Sequence, residues 1–176
     1  MALRSFVASL ALFDALVAAT GRAEVFALKW PNDVLLNGGK LAGILLESAG
    51  AGGSLSHFAI GIGVNLSRAP EVSEVEQGAL RPVSLLSETG IAIDPEAFLD
   101  LLASAYARAE AQFVTFGFAP IRTAWLARAA RLGEVITART TREVYEGRFE
   151  TVDEAGNLVL LTAQGRQAIA AAEVFF

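Results

Sequence analysis

Two short segments carry most of the side chains in this sequence that could do chemistry. They are Lys29-Trp30-Pro31-Asn32-Asp33 and Gly39-Lys40-Leu41-Ala42-Gly43-Ile44-Leu45-Leu46-Glu47. Together they place two lysines, an amide and a carboxylate at the ends of adjacent strands. Alternation along the second strand predicts that Lys40 and Ala42 share a face, with the small residues Ala42 and Gly43 leaving space beside the ammonium. Two cations next to a carboxylate able to hold Mg²⁺ suit a ligand that carries phosphate. An ammonium about 4 Å from a phosphate oxygen gains about 4 kcal/mol at an effective dielectric of about 20. The same residues also read as a hairpin whose lysines are ordinary surface charges.

Other chemistries are excluded residue by residue. His57 is the one histidine and no G-x-S-x-G elbow occurs, which argues against a serine triad. Gly61 and Gly63 have no third glycine at the dinucleotide spacing, because position 66 is Leu66, and Gly39-Lys40 is followed by Leu41 rather than the serine or threonine of a P-loop. With no cysteine, disulfides, thiolate zinc sites and cysteine nucleophiles fall away together, which fits a cytoplasmic protein. A formal charge of −5 argues against a broad nucleic-acid surface. Hydrophobic residues make up 53% of the chain, yet Arg4, Asp14 and Arg22 interrupt the apolar opening well short of a membrane span of about 20 residues.

The elements that must position these groups follow from periodicity and punctuation. Phe6, Leu10, Phe13 and Val17 fall on one side of a helix over residues 1–21 that stops at Thr20-Gly21. Strands are expected at Val25–Lys29, at 33–36 and at Lys40–Glu47, the last two joined through Asn37-Gly38-Gly39, a strong hairpin signal. A loop at Gly50–Ser54 leads to a strand at His57–Asn65, and Glu71–Gln77 reads as a solvated loop. Asp94-Pro95-Glu96 opens a helix carrying Phe98, Leu101, Leu102, Ala105 and Tyr106. Ala119-Pro120 opens another with Ile121, Trp125 and Leu126, ending just before Gly133. Beyond Glu134 the period becomes that of strands, at Val135–Thr140, Val144–Val152, Leu158–Leu161 and Ala168–Phe176. The expected fold is α/β (α+β), with a mixed sheet and packed helices over residues 1–128 and a small SH3-like β-barrel over 129–176. Trp125 reads as core, Trp30 as either core or ligand-facing, and His57 as structural or exposed.

K-W-P-N-D, followed eleven residues after its lysine by K-L-A-G-I-L-x-E and then by Gly61-Ile62-Gly63-Val64-Asn65-Leu66, resembles the signature of the biotin protein ligases, in order and in spacing. The resemblance covers essentially the whole chain. It implies an enzyme that joins biotin to ATP as biotinyl-5′-adenylate and passes the biotinyl group to a lysine of a biotin carboxyl carrier protein. By the same resemblance Lys40 would meet the biotin carboxylate and the α-phosphate. Asn32 and Asp33 would contact the adenylate and Mg²⁺, with Asp33 also a candidate base, and Lys29 would add positive potential at the phosphates. Gly61 and Gly63 would let backbone approach the ligand, and Asn65 would bond the adenylate.

The family's glycine- and arginine-rich loop (G-R-G-R-x-G-R) and the strands lining the biotin ring precede the helix that matches residues 1–21, and that pattern does not occur here. A truncated reading frame with weak activity of its own is therefore expected, with an unpaired sheet edge that favours a homodimer. A lipoate ligase shares the fold and the adenylate chemistry, and a non-catalytic binding module on a ligase scaffold is the reading from a different class.

Overall fold

The computed structural model describes residues 3–51, 54–74 and 79–176. Helix α1 (Arg4–Thr20) ends where expected, with Gly21 in the left-handed conformation and its N–H donated to the Val17 carbonyl at 2.7 Å. It packs on a four-stranded antiparallel sheet of order β1-β2-β3-β4, formed by β1 (Phe26–Lys29), β2 (Asp33–Leu36), β3 (Gly39–Ala51) and β4 (Ser54–Val64). Asn37 and Gly38 take φ of 49° and 79°, the two positive values that a two-residue hairpin loop of this hand needs. The Trp30–Pro31 peptide is cis.

Several boundaries differ from those the sequence suggested. The loop expected over Gly50–Ser54 is mostly strand, since Gly50 pairs with Leu55 and Ala51 with Ser54, and positions 52 and 53 lie outside the described residues. Within the expected loop over Glu71–Gln77 there is a single turn at Val72–Glu74, and residues 75–77 also lie outside the described set. A short helix, α2 (Leu85–Thr89), was not anticipated: Ser84 and Ser87 cap it reciprocally, a serine standing where the usual signal is glutamate.

Helix α3 (Pro95–Phe116) begins under the Asp94 cap, whose carboxylate accepts from the Glu96 and Ala97 N–H groups. Helix α4 (Phe118–Leu126) starts one residue early and stops well before Gly133, the intervening residues forming turns. No helix among the described residues is long and apolar enough to cross a membrane.

The second sheet holds β5 (Val135–Arg139), β6 (Val144–Val152), β7 (Leu158–Thr162), β8 (Gly165–Ile169) and β9 (Glu173–Phe175), in the order β8-β7-β6-β5-β9. The strand expected over Ala168–Phe176 is thus two strands. Ala170–Ala172 carry no side chain large enough to hold one direction, and the chain turns there so that β9 pairs with β5 at the far edge. Helix does not interrupt 144–161, as the change of period required.

The two sheets meet at Trp30, which settles as core at 3% exposure. Its indole N–H donates to the Gly156 carbonyl at 3.0 Å. Asp153 shapes that turn by accepting from the N–H groups of Ala155 and Asn157 and from the Asn157 side chain. Trp125 is core as well, 1% exposed, its indole N–H donating to Ser9 Oγ at 3.1 Å and its ring edge-on to Phe6 at 5.2 Å.

Gly156 sits at φ 88°, and a Cβ there would stand 2.9 Å from Leu3 Cδ2 and 3.1 Å from Phe6 Cε2. Gly156→Ala is therefore expected to cost about 1–3 kcal/mol of unfolding free energy through overpacking and an unfavourable φ. Urea denaturation measures this, and an unchanged midpoint would mean that the turn can lift off α1 freely.

Candidate functional site

Asp33 lies at the start of β2, directly across from Lys29 on β1 and from Gly43 on β3. Residues opposite each other in an antiparallel pair project to the same face, so Lys29, Asp33 and Gly43 form one row. Lys40 joins them through a β-bulge. Val34 pairs with Ala42 but Leu35 pairs with Lys40, leaving Leu41 as the extra residue. That shift corrects the expectation that Lys40 and Ala42 share a face. Ala42 turns into the core at 3% exposure, and Gly43 is the small residue beside the lysine. A Cβ at Gly43 would stand 3.5 Å from Asp33 Oδ1 and 3.6 Å from Lys40 Cε.

The result is a carboxylate shared between two ammonium groups. Lys40 Nζ lies 2.7 Å from Asp33 Oδ1 and Lys29 Nζ lies 3.5 Å from Oδ2. The side chains of Asp33 and Lys29 are each 9% exposed, whereas that of Lys40 is 45% exposed. The cluster carries one net positive charge, and its most accessible member is a cation. Both groups face a cavity of about 290 Å³ whose walls include Pro31, Asn32, Ala79, Leu80 and, from the second sheet, Ala172–Phe176. The Phe176 ring lies 6.0 Å from Lys29 Nζ and 5.3 Å from the Arg131 guanidinium, and Glu173 adds a carboxylate on that side.

Of the residues singled out from the sequence, Lys29, Asn32, Asp33 and Lys40 come together here. Gly61, Gly63 and Asn65 do not line this cavity. Gly63 stands opposite Gly43, so the two extend the Asp33 row as a strip of bare backbone, and Gly61 follows opposite the 60%-exposed Leu45. Such a strip lets a ligand lie against the strands. Asn65 is engaged structurally, donating through Nδ2 to the Val83 carbonyl at 3.0 Å. Asn32 lines the cavity, yet its amide N–H is used on the Ile44 carbonyl at 2.7 Å, while its own backbone carbonyl accepts from the Ile44 N–H at 2.9 Å. His57 is exposed on β4.

The donor set does not fit a resident Mg²⁺ on Asp33. Both of its oxygens are occupied by ammonium groups, and a metal bound directly there would have to displace one. No group of three carboxylate or imidazole side chains among the described residues is placed to hold a metal. Little in the residues themselves marks the walls at Ala79-Leu80 and Ala172–Phe176. Both are irregular or short segments without periodicity, and the sole signal was the apolar pair Phe175-Phe176.

Several known proteins and family models are similar to this chain. A family model described as "Biotin/lipoate A/B protein ligase family" matches residues 2–65, and "Biotin protein ligase C terminal domain" matches residues 132–176. The chain is 63% identical over 172 residues to a biotin--[acetyl-CoA-carboxylase] ligase of Paracoccus denitrificans, covering 98% of this chain and 72% of that protein. A bifunctional ligase/repressor of Bacillus subtilis is 31% identical over 84% of this chain, which spans 45% of it. Among solved structures, the apo biotin protein ligase of Aquifex aeolicus superposes with a TM-score of 0.85 at 23% identity, covering 99% of this chain and 75% of that one. At that identity the likeness is one of fold.

Removing the shared carboxylate should leave the buried Lys29 ammonium without a partner. Asp33→Ala is expected to cost about 3–5 kcal/mol of stability. Adding Lys29→Met to the same chain should recover most of that loss, because it removes the stranded charge. Urea unfolding of the single and double variants tests this. A double variant no more stable than Asp33→Ala would show that the ion pair is not what holds the row together.

Proposed function

The chain belongs to the biotin protein ligase family, and from that premise we propose that it activates biotin with ATP and transfers the biotinyl group to a lysine of a biotin carboxyl carrier protein. The observation that carries this reading is the lysine pair on one buried carboxylate, opening onto the glycine strip of β3 and β4. The family model over residues 2–65 spans biotin and lipoate ligases alike. The 63% identity to a protein named for biotin favours biotin.

In the first step the biotin carboxylate attacks the α-phosphorus of ATP, the bond to the β-phosphate oxygen breaks, and pyrophosphate leaves. Three anionic groups crowd together as this happens. Lys40, the exposed cation, is assigned to the carboxylate and the α-phosphate, where a fixed positive charge offsets the charge that builds in the transition state. Lys29, deeper in the cavity, supplies potential along the polyphosphate. Asp33 holds both ammonium groups in place. Mg²⁺ enters with ATP as part of the substrate, carried on the phosphates. Gly43, Gly61 and Gly63 leave room for the adenylate to lie on the strands, and Asn32 and Asn65 brace that floor. In the second step the acceptor lysine amine attacks the biotinyl carbonyl and AMP leaves. Asp33 is the carboxylate nearest this chemistry and the candidate base for the amine.

Residues 1–128 are read as the later part of the catalytic domain and 129–176 as a terminal unit that walls the cavity. β4 is an edge of its sheet among the described residues and carries exposed glycines and His57, which supports self-association into a homodimer. Chemistry that draws on ATP and a carboxylase carrier supports a cytoplasmic location.

The test is biotin-dependent pyrophosphate release and biotinylation of a purified carrier domain. Both are measured on this chain alone and on the chain with the family's glycine- and arginine-rich segment supplied ahead of it. Lys40→Ala should lower pyrophosphate release by about 10²–10³-fold in whichever form is active. Undiminished release would remove Lys40 from the mechanism, and lipoate-dependent rather than biotin-dependent release would reassign the substrate.

A further inference from the structure

The cavity wall beside Lys40 belongs to neither sheet. Residues 79–83 run past the start of β3, where the Lys40 N–H donates to the Arg81 carbonyl at 2.9 Å and the Val83 N–H donates to the Lys40 carbonyl at 3.0 Å. These bonds form a single parallel bridge between Lys40 and Pro82, and Ala79 and Leu80 then line the cavity itself. The approach is close. A Cβ on Gly39 would fall 2.4 Å from Val83 Cγ1 and 2.9 Å from the Arg81 carbonyl oxygen, so glycine is what lets the wall lie there.

One bridge holds a segment weakly, and two side chains outside the cavity fasten it. Asn65 binds the Val83 carbonyl from the β4 side. Glu88, on α2, does more: its Oε1 accepts from Arg81 Nη2 at 2.9 Å and its Oε2 accepts from Asn37 Nδ2 at 3.1 Å. Asn37 is the tip of the β2–β3 hairpin, so this one carboxylate ties the hairpin, the wall and α2 together around Lys40. The two donors hold the Glu88 carboxyl below its ordinary range, the Asn37 bond first and the Arg81 bond second.

We propose that Glu88 is a positioning residue for the phosphate-binding site, acting through the 79–83 wall on the placement of Lys40. This rests on the assignment of Lys40 to phosphate made above. Glu88 does not line the cavity. Lys40 has a flexible four-carbon stem and a largely accessible end. Asp33 fixes its nitrogen, and the wall fixes its backbone and narrows the space the stem can sweep. Loss of the clasp frees the wall and spreads the ammonium over positions that no longer meet the phosphate.

The sign of the effect separates this role from simple electrostatics. Removing a negative charge near an anion site would by itself tighten anion binding, whereas loss of positioning weakens it. The experiment is calorimetric titration of inorganic pyrophosphate into the wild-type chain, Glu88→Ala, Glu88→Gln, the swapped pair Arg81→Glu with Glu88→Arg, and Glu110→Ala. The last removes the same charge from a carboxylate that pairs instead with Arg4. Glu88→Ala should bind pyrophosphate about tenfold more weakly, the scale of loss that a small misplacement produces. Glu88→Gln keeps one acceptor and should fall between. The swapped pair restores the ion pair, and Asn37 can turn its amide oxygen toward the new arginine, so affinity should return to within about twofold.

Glu110→Ala should not weaken binding. Amide hydrogen exchange at Lys40 and Val83 should quicken in Glu88→Ala and slow again in the swapped pair, which reads the wall without any ligand. Unchanged or tighter pyrophosphate binding by Glu88→Ala, with wild type binding normally, would overturn the proposal, as would unaltered exchange at those two amides. A wild-type chain that binds no pyrophosphate would overturn the phosphate assignment itself.

Discussion

Everything in the site depends on one carboxylate answering two ammonium groups. Burying an ion pair is expensive, because the water each charge loses is only partly replaced by its partner. Asp33 offsets that loss by meeting two cations at once, Lys40 closely and Lys29 at longer range. A one-to-one pair would be neutral and would offer an anion little. Two lysines on one aspartate leave a surplus positive charge, and the geometry assigns that surplus to the side chain that reaches solvent.

The rest of the first sheet and the helix packed on it bring those groups together. The two-residue loop at Asn37-Gly38 folds β2 back on β3. The bulge at Leu41 then changes the phase of β3, so that Gly43 rather than Ala42 comes level with Asp33, while Leu41 and Ala42 stay buried. Gly43 and Gly63 continue the row with no side chain standing over the strands. The opposite face is packed against α1, whose Phe6 also meets Trp125 and Phe118. The terminal sheet is locked to the same segment through Trp30, the residue between Lys29 and the cis peptide. Stability and chemistry therefore share a few consecutive residues.

What could be read in the sequence was local. The hairpin, the Asp94 cap and the Gly21 stop are written in residues next to one another, and the structure has all three. The meeting of Lys40 with Asp33 was legible too, through turn chemistry and strand alternation. The bulge was not, since unbroken alternation would bury Leu41 alone, and nothing in the apolar pair Leu41-Ala42 shows that both turn inward. The 79–83 wall left no trace because Asn65, which holds it, and Asn37, which meets Glu88, lie far off in sequence, and α2 was missed because Ser87 stands where a capping glutamate is the usual signal. The terminal strand was read as continuous because Ala170–Ala172 have no pattern to mark a turn. Asn32 and Asn65 were expected at the ligand through the family resemblance, and the folded chain uses their amide nitrogens on backbone carbonyls.

The cavity wall supplied by Ala172–Phe176 has a consequence for how the protein is made. Lys29, Asp33 and Lys40 leave the ribosome early, and at about 5–20 residues per second roughly ten seconds pass before the wall follows. During that interval the hairpin can close, but Trp30 has no Gly156 carbonyl to bond and the lysine pair lies open to water and to cellular anions. The nascent chain thus carries its charged cluster before the walls that enclose it. The site comes into being only when translation has nearly finished with the second sheet, so a stalled or clipped chain would hold the motif and lack the chamber.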